Sequence, residues 1–171
     1  FDLLNIRYLC NFSGTDGVLI VTGESNSFLS DSRYQTQARQ QVTVENIICY
    51  QKKLDGVVAE LKRLGVRRVG FESEILTVSS WQELQEKGAD QIEWIPVGKP
   101  IKLLRALKDK EELKALQTAA NLNQNAFEEI RPLLTPGVSE HEIALALEFS
   151  LKRSGGEAKA FDFIVASGER G

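Results

Sequence analysis

Short apolar runs alternate along residues 18–97 with stretches whose apolar residues recur every three or four positions. Short runs rich in Val, Ile and Phe are typical of strands, and the wider spacing is typical of helices. The predicted strands cover residues 18–21, 27–30, 46–50, 66–71 and 91–95, and Pro96 is expected to end the last of them. The loop at residues 23–26 contains turn-forming residues and predicts a hairpin between the first two strands.

The segments between the strands predict helices. Residues 34–41 suit a short helix, and residues 53–64 place apolar side chains at helical spacing before Gly65, a residue type that commonly ends helices. Ser79 with Gln82 fits a capping box that opens a third helix. Strands that alternate with helices of this size predict an α/β layer with a central sheet.

The pattern changes near residues 97–105. Two long helical stretches follow, and no further strand is predicted until Phe161. Both stretches open with a capping-box pattern, at Asp109 with Glu112 and at Ser139 with Glu142. We therefore predict two domains, residues 1–100 and residues 101–171. The second, with two helices and one strand, is too small to bury its apolar faces unaided, so we expect it to be the opening of a larger domain.

The composition is that of an ordinary soluble protein, with 171 residues, 42% apolar residues, 26% charged residues and a net charge of −3. This charge gives no electrostatic reason to expect nucleic acid or an anionic membrane as a partner. No apolar run approaches the roughly 20 residues that span a bilayer, and no signal peptide is visible. Cys10 and Cys49 suggest two buried thiols in a reducing compartment, as in a cytoplasmic protein. A chain that starts at Phe1 and contains no Met is expected to be an internal fragment.

The residues of this chain assemble no recognisable catalytic centre. The single histidine, His141, lies at the start of a predicted helix, where we expect it to be exposed, so no metal site can be built with it. No G-x-S-x-G elbow and no phosphate-binding loop are present. We assign no catalytic residue and no metal ligand to this chain.

Two polar clusters remain as candidates. Asp31 and Arg33, beside Tyr34, are expected to form a local ion pair that orders a strand-to-helix corner. Residues 11–16 form a polar loop with one aromatic, which is a better candidate for contact with a ligand or a partner subunit. Trp81 and Trp94 occupy periodic apolar positions and are expected in the core.

Four further segments follow one another along the chain. They are Asn-Ile-Arg-Tyr-Leu to Asp-Ser-Arg-Tyr at residues 5–34, Leu-Arg-Ala-Leu-Lys-Asp at 104–109 with its continuation to 120, Thr-Pro-Gly-Val-Ser-Glu at 135–140, and Phe-Asp-Phe-Ile-Val-Ala-Ser-Gly at 161–168. Together they resemble the creatinase/aminopeptidase P family of pita-bread metallopeptidases. The resemblance implies an α/β creatinase-like N-terminal domain with a mixed sheet and flanking helices, here lacking its first elements. The start of an α+β pita-bread domain would follow.

This resemblance also implies an activity, a cofactor and a partner. The full-length protein would be an Xaa-Pro dipeptidase or aminopeptidase that cuts proline-containing peptides, carries two divalent metal ions (Mn or Co) and forms a homodimer through its N-terminal domain. The metal ligands would follow Gly171, so this chain alone is expected to hold no metal and to be inactive. A non-catalytic pita-bread module that binds peptides or proteins and a creatinase-like amidinohydrolase, which needs no metal, are alternatives.

Three residues are implied to contact substrate. Phe161 and Ile164, on the last predicted strand, would line the pocket, and Asp16 would lie in a loop that reaches toward the partner's active site. Residues three apart on a strand point to opposite faces, so Phe161 and Ile164 could contact the same ligand only where the strand is irregular.

Overall fold

The structure is a computed structural model that describes residues 1–171 except for the side chains of Asp90 and Arg170. Its first sheet begins with a hairpin. Strand β1 (Val18–Val21) pairs antiparallel with β2 (Asn26–Ser30), and β2 pairs parallel with β3 (Asn46–Cys49). The order is β1-β2-β3. The predicted hairpin and the predicted mixture of strand directions are both confirmed.

A second sheet pairs β4 (Arg68–Glu72) in parallel with β5 (Glu93–Val97). No hydrogen-bonded pairing joins it to the first sheet among the described residues, whereas the sequence pattern predicted one central sheet. Strand β5 also continues through Pro96, which was expected to end it. The Glu93 amide donates to the Arg67 carbonyl at 2.7 Å, so the alternation of the ladder turns the Pro96 nitrogen away from β4. A missing N–H therefore costs no ladder bond there.

The helices around these sheets are α1 (Leu3–Cys10), α2 (Gln35–Gln41), α3 (Lys53–Arg63), α4 (Val78–Gly88) and α5 (Pro100–Leu104). Helix α1 was not predicted, although Asp2 caps it by accepting from the Leu4 and Asn5 amides. The cap of α4 is Thr77, so the prediction of Ser79 was wrong. Gly65 follows α3 with φ +67°, as expected for the residue that ends a helix.

Two apolar clusters form the core of this region. One lies between the first sheet and helices α3 and α4. It consists of Val18, Leu29, Tyr50, Val57, Val58, Leu61, Leu84 and Ile92. The other consists of Ile6, Cys10, Phe12, Phe28 and Ala38. Since Phe28 and Leu29 are consecutive on β2, the clusters lie on opposite faces of the first sheet. Trp94 packs against the first cluster and Trp81 stacks on Phe71, both partly buried.

The chain divides into two compact units, Phe1–Leu107 and Lys108–Gly171, called the first and second units below. Helix α5 belongs to the first unit, where Arg105 donates to the Asn5 side chain at 2.9 Å. In the second unit, α6 (Lys110–Ile130) packs against α7 (Glu140–Arg153). Both predicted capping boxes are confirmed.

The strand predicted from Phe161 is absent from the structure. Residues 156–167 contain no helix or strand, and a short 3₁₀ helix, Gly168–Arg170, follows them. A strand requires a neighbouring strand to accept and donate its backbone hydrogen bonds, and the second unit, as described, contains none. Among the described helices of the whole chain, none combines the length and the apolar character needed to cross a bilayer.

Candidate functional site

Polar side chains gather at the carboxyl ends of the parallel strands β2 and β3. We call this group the Asp16 corner; its members are Asp16, Ser30, Asp31, Tyr50 and Lys53. Ser30 ends β2, Tyr50 follows β3, and Lys53 begins α3. Side chains at the carboxyl ends of neighbouring parallel strands share one edge of a sheet, which is where α/β proteins commonly bind ligands.

Asp16 is the centre of this corner. One carboxylate oxygen accepts a hydrogen bond from the Tyr50 hydroxyl, and the other accepts from Lys53 Nζ at 2.5 Å. The Asp16 backbone carbonyl accepts from Ser30 Oγ at 2.8 Å. Both carboxylate oxygens are therefore engaged within the first unit, and the carboxylate fixes the loop before β1 to the start of α3.

The electrostatics of the Asp16 corner favour a stable ion pair between Asp16 and Lys53 over a catalytic acid or base. Burial raises the pKa of Asp16, but the hydrogen bonds from Lys53 and Tyr50 outweigh burial and bring this pKa below its ordinary value. Burial, followed by the hydrogen bond to Asp16, raises the pKa of the Tyr50 phenol. At neutral pH the corner thus holds an ionised carboxylate and a neutral phenol, and neither is poised to exchange a proton.

The neighbouring Asp31 forms the predicted ion pair. Arg33 Nε donates to both carboxylate oxygens of Asp31 at 3.1 Å, and Nη2 donates to Oδ2 at 2.7 Å. The guanidinium carbon of Arg33 lies 5.4 Å from the centre of the Tyr34 ring. The hydrogen bond from Arg33 is the main reason that the pKa of Asp31 is lowered. Asp31 also caps the turn of 3₁₀ helix that follows it, so the pair orders a strand-to-helix corner as expected.

The polar loop at residues 11–16 presents a different surface from the one its composition suggested. Phe12 is buried, with its ring centre 4.5 Å from that of Phe28. Gly14 lies against the Phe12 ring so closely that a Cβ would meet it at 2.3 Å. The groups that this loop exposes are therefore Asn11, Ser13 and Thr15, and its aromatic residue anchors it to the core.

Phe161 and Ile164 lie in the second unit, and both are open to solvent, with 72% and 89% of their surface exposed. They belong to an irregular segment, so the alternation of a strand does not separate them. The segment is tied to the start of α7 by the Ser167 amide, which donates to Glu140 Oε1 at 3.0 Å. Lys159 and Asp162 form an ion pair within it at 2.7 Å.

A metal centre cannot be assembled from the side chains that the structure describes. They contain no group of three or more His, Cys, Asp or Glu residues that could hold an ion. His141 is exposed at the first turn of α7, as predicted. Cys10 is buried but Cys49 is exposed on the edge strand β3, so the prediction of two buried thiols was wrong for Cys49.

Sequence reasoning identified Asp16 but missed its partners. Tyr50 and Lys53 lie more than thirty positions away along the chain, and only the parallel pairing of β2 with β3 brings Tyr50 to the same edge. The one usable signal was position, since Asp31 directly follows one predicted strand and Tyr50 is the last residue of another. A single sequence does not show which strand ends are neighbours.

Comparison with known proteins assigns both parts of the chain. Residues 1–107 match the family model of the creatinase/prolidase N-terminal domain, and residues 114–171 match that of metallopeptidase family M24. The chain is 35% identical over 167 residues to the uncharacterized peptidase YqhT of Bacillus subtilis (strain 168), which covers 97% of this chain and 47% of that protein. It is 30% identical over 169 residues to an Xaa-Pro dipeptidase of Pyrococcus horikoshii, covering 97% of this chain and 46% of that protein.

A solved structure agrees with these relatives. The Xaa-Pro dipeptidase from Bacillus anthracis superposes with a TM-score of 0.88 at 35% identity, over 95% of this chain and 45% of that one. The chain thus spans about half the length of the proteins it matches. It belongs to the creatinase/prolidase family, with its second unit matching metallopeptidase family M24.

Proposed function

We propose that the full-length protein is a metal-dependent Xaa-Pro peptidase and that this chain contributes its creatinase-type domain and the first part of its catalytic domain. The observation that carries this proposal is the order of the two matched domains along one chain. The Pyrococcus horikoshii relative, which is 30% identical over 97% of this chain, is an Xaa-Pro dipeptidase. We propose that the domain boundary lies in the connection between α5, which ends at Leu104, and α6, which begins at Lys110.

The substrate class has a physical rationale. A bond before proline is a tertiary amide without an N–H, so a peptidase that holds its substrate through that N–H recognises it poorly. Recognition must then use the apolar ring, and Phe161 and Ile164 offer two large apolar side chains on a segment outside regular structure. We propose that both contact the substrate.

Further features of the full-length protein belong to the same proposal. It would carry two divalent ions, Mn or Co, whose ligands are not assigned to this chain, and it would act in the cytoplasm as a homodimer formed through the first unit. Asp16 would serve the substrate site indirectly. Because Tyr50 and Lys53 engage both of its carboxylate oxygens, it would hold the loop at residues 11–16 in the shape that reaches the partner's site.

The first test is hydrolysis of an Xaa-Pro dipeptide by the full-length protein, with and without added manganese. Proline release that depends on metal supports the proposal. A folded protein that shows no turnover with any divalent metal contradicts it and redirects attention to a peptide-binding module or a metal-free amidinohydrolase.

The second test concerns the substrate contacts of Phe161 and Ile164. Truncation of either to alanine removes apolar contact worth about 1–3 kcal/mol, so we expect KM to rise about 10-fold or more. Leu133→Ala is the matched control, because Leu133 is an exposed apolar residue of the same unit outside this segment. A KM for Phe161→Ala that equals the control value contradicts the assignment.

The third test separates positioning by Asp16 from direct contact. Asp16→Ala in the full-length protein should weaken substrate binding while metal content stays unchanged. Lys53→Met removes one partner of the carboxylate but leaves Asp16 in place. If Asp16 acts by holding the loop, both variants raise KM; if Asp16 binds substrate directly, only Asp16→Ala does. An unaltered KM in Asp16→Ala removes either role.

A further inference from the structure

The outer edges of β5 and β3 differ in how they are protected from other strands. Glu93 and Val97 of β5 bond to β4, so the backbone groups of Trp94 and Pro96 point away from it. Pro96 is exposed and has no N–H. Proline on an edge strand discourages pairing with another chain, because it withdraws a donor that the other chain would need. The outer edge of β5 is therefore a poor partner for a further strand.

The outer edge of β3 has no such protection. The Tyr50 amide donates to the Ser30 carbonyl at 2.9 Å, so Tyr50 and, by alternation, Ile48 bond toward β2. The amides and carbonyls of Ile47 and Cys49 consequently point away from β2. Among the described residues, no strand pairs with this edge, because β3 is the last strand in its sheet.

The side chains along this edge are apolar and accessible. Ile47 is 36% exposed, and Cys49 is exposed as well. Residues 47–49 include no proline and no charged residue, the two residue types that most often protect an edge strand. A short apolar edge with outward-facing donors and acceptors is a template for pairing with another strand.

We propose that β3 pairs antiparallel with β3 of a second copy of this protein, across a two-fold axis that passes near Ile48. An axis perpendicular to a sheet turns an edge strand into its own antiparallel neighbour, so the same residues serve on both sides. Ile47 of each copy then lies opposite Cys49 of the other, and their outward-facing amides and carbonyls form roughly four hydrogen bonds. This inference rests on the homodimer proposed above and specifies its surface.

Charges at the two ends of β3 favour a second copy in this orientation. Glu45 precedes the strand, Lys52 follows it, and both are exposed. Antiparallel pairing about Ile48 brings Glu45 of each copy beside Lys52 of the other, whereas parallel pairing in register would bring like charges together. Complementary charges fix the direction and register of an interface. The edge thus supplies its own partner in both hydrogen bonding and charge.

A proline substitution on this edge tests the pairing. Cys49→Pro gives β3 the protection that Pro96 gives β5, and it removes no bond to β2. Two-fold symmetry removes the donor from both strands and leaves two carbonyls unpaired. We therefore expect the dissociation constant of the full-length dimer, measured by sedimentation equilibrium, to rise at least about 30-fold. Cys49→Ala, which keeps the amide, is the matched control and should leave the constant unchanged.

Charge reversal tests the direction of pairing, and it decides the question should the proline variant not fold. Glu45→Lys and Lys52→Glu each place like charges together at both ends of the pair, so each should weaken the full-length dimer about 5-fold at low salt. An equimolar mixture of the two variants should dimerise about as tightly as the unmodified protein, because a mixed dimer has opposite charges at both ends. The two residues lie roughly 23 Å apart along one extended strand, so no contact within a single chain can produce this recovery.

The outcomes separate this inference from the proposed function. A dissociation constant that is the same for Cys49→Pro and Cys49→Ala overturns the inference alone, since the homodimer then uses another surface. A mixture of the charge variants that is no tighter than either variant by itself also overturns it. A full-length protein that is monomeric at every concentration overturns the homodimer as well, while hydrolysis of an Xaa-Pro dipeptide still decides the peptidase proposal.

Discussion

The two units of this chain differ in how their elements are specified. In the first unit, large side chains such as Phe12, Phe28 and Leu61 are almost completely buried between sheet and helices. In the second unit, the buried apolar side chains among those described are Ala126, Ile130 and Ile143, and many larger ones are exposed. The first unit is held by contacts between distant parts of the chain, whereas the second consists of two helices with one narrow contact.

The caps of the helices show the converse difference. Helices α6 and α7 of the second unit both begin with complete capping boxes. In the first unit, α1 and α4 have side-chain caps, Asp2 and Thr77, but α2 and α3 begin without any. Where packing supplies little stabilisation, local signals in the sequence decide whether a helix forms; where packing is extensive, they become dispensable.

The largest expected effect comes from removing a buried aromatic ring. Phe28 is fully buried and packs on Phe12, so Phe28→Ala should lower the free energy of unfolding by about 3–5 kcal/mol. Phe149→Ala, in the second unit, is the matched control, because 66% of Phe149 is exposed. We expect it to cost less than about 1 kcal/mol. Urea unfolding of this chain measures both, and equal costs would contradict the contrast between the units.

A similar polar arrangement occurs in both units and provides a second test. In the first unit, Glu60 accepts from Ser27 Oγ at 2.5 Å and pairs with Arg63 at 2.7 Å. In the second, Glu129 accepts from Ser150 Oγ at 2.7 Å and pairs with Arg153. The side chain of Glu60 is 3% exposed, and that of Glu129 is 43% exposed. Water can therefore solvate the carboxylate of Glu129 far more easily than that of Glu60, although the serine partner is buried in both units.

Glu60→Ala leaves the buried Ser27 hydroxyl without its acceptor and should cost about 1–3 kcal/mol of unfolding free energy. Glu129→Ala also removes the acceptor of a buried hydroxyl, that of Ser150, but it should cost less because the carboxylate of Glu129 is 43% exposed and its pairing with Arg153 is weakened by solvent. Chemical denaturation of the two variants, side by side, gives the comparison. A larger loss in Glu129→Ala would show that the second unit depends on its polar contacts more than its exposure implies.

The contact between Glu60 and Arg63 should also make a smaller, pH-dependent contribution to the free energy of unfolding. The hydrogen bond from Arg63, more than that from Ser27, holds the pKa of Glu60 below its ordinary value. A carboxyl with a lower pKa in the folded state stabilises the fold above its unfolded pKa, about 4.3, and loses this contribution as pH falls through the folded pKa. Glu60→Gln should therefore flatten the decline in unfolding free energy below about pH 4.3.

Unfolding midpoints in urea, measured at several values of pH, check this expectation. Glu24→Gln, in the exposed hairpin loop, is the control and should leave the decline unchanged. Glu60→Gln should reduce the decline of unfolding free energy with falling pH but not abolish it. Asp16, whose pKa is also lowered in the folded state, still contributes to this decline. Parallel curves for Glu60→Gln and the unmodified chain would refute the assignment.

The contrast between local signals and long-range packing also explains which features of the structure the sequence predicted. Features that depend on a few adjacent residues were predicted, such as the hairpin before Asn26 and the capping boxes at Asp109 and Ser139. Features that depend on distant partners were not, such as the meeting of Asp16 with Tyr50. An apolar pattern shows that a segment seeks burial, but not which surface buries it.

The segment after Phe161 illustrates this limit from the other side. Its sequence has the apolar character of a strand, yet strand structure is a property of a pair of segments, and the second unit as described offers no partner. The separation of the two sheets has the same origin. The strands that contain Leu19 and Gly70 were both predicted from their apolar patterns. These patterns do not show whether the two strands belong to one sheet.

The smallest effect concerns the helix caps themselves. Ser139→Ala removes the cap of α7 and should cost about 1 kcal/mol, which corresponds to about 5-fold faster amide exchange along that helix. Thr77→Ala removes the cap of α4, whose Leu84 is fully buried, and should accelerate exchange in α4 less. Ser139→Asp, which restores a capping side chain, should return exchange in α7 to its original rate. Equal acceleration in α4 and α7 would mean that packing protects the helices of the first unit no better than caps protect those of the second.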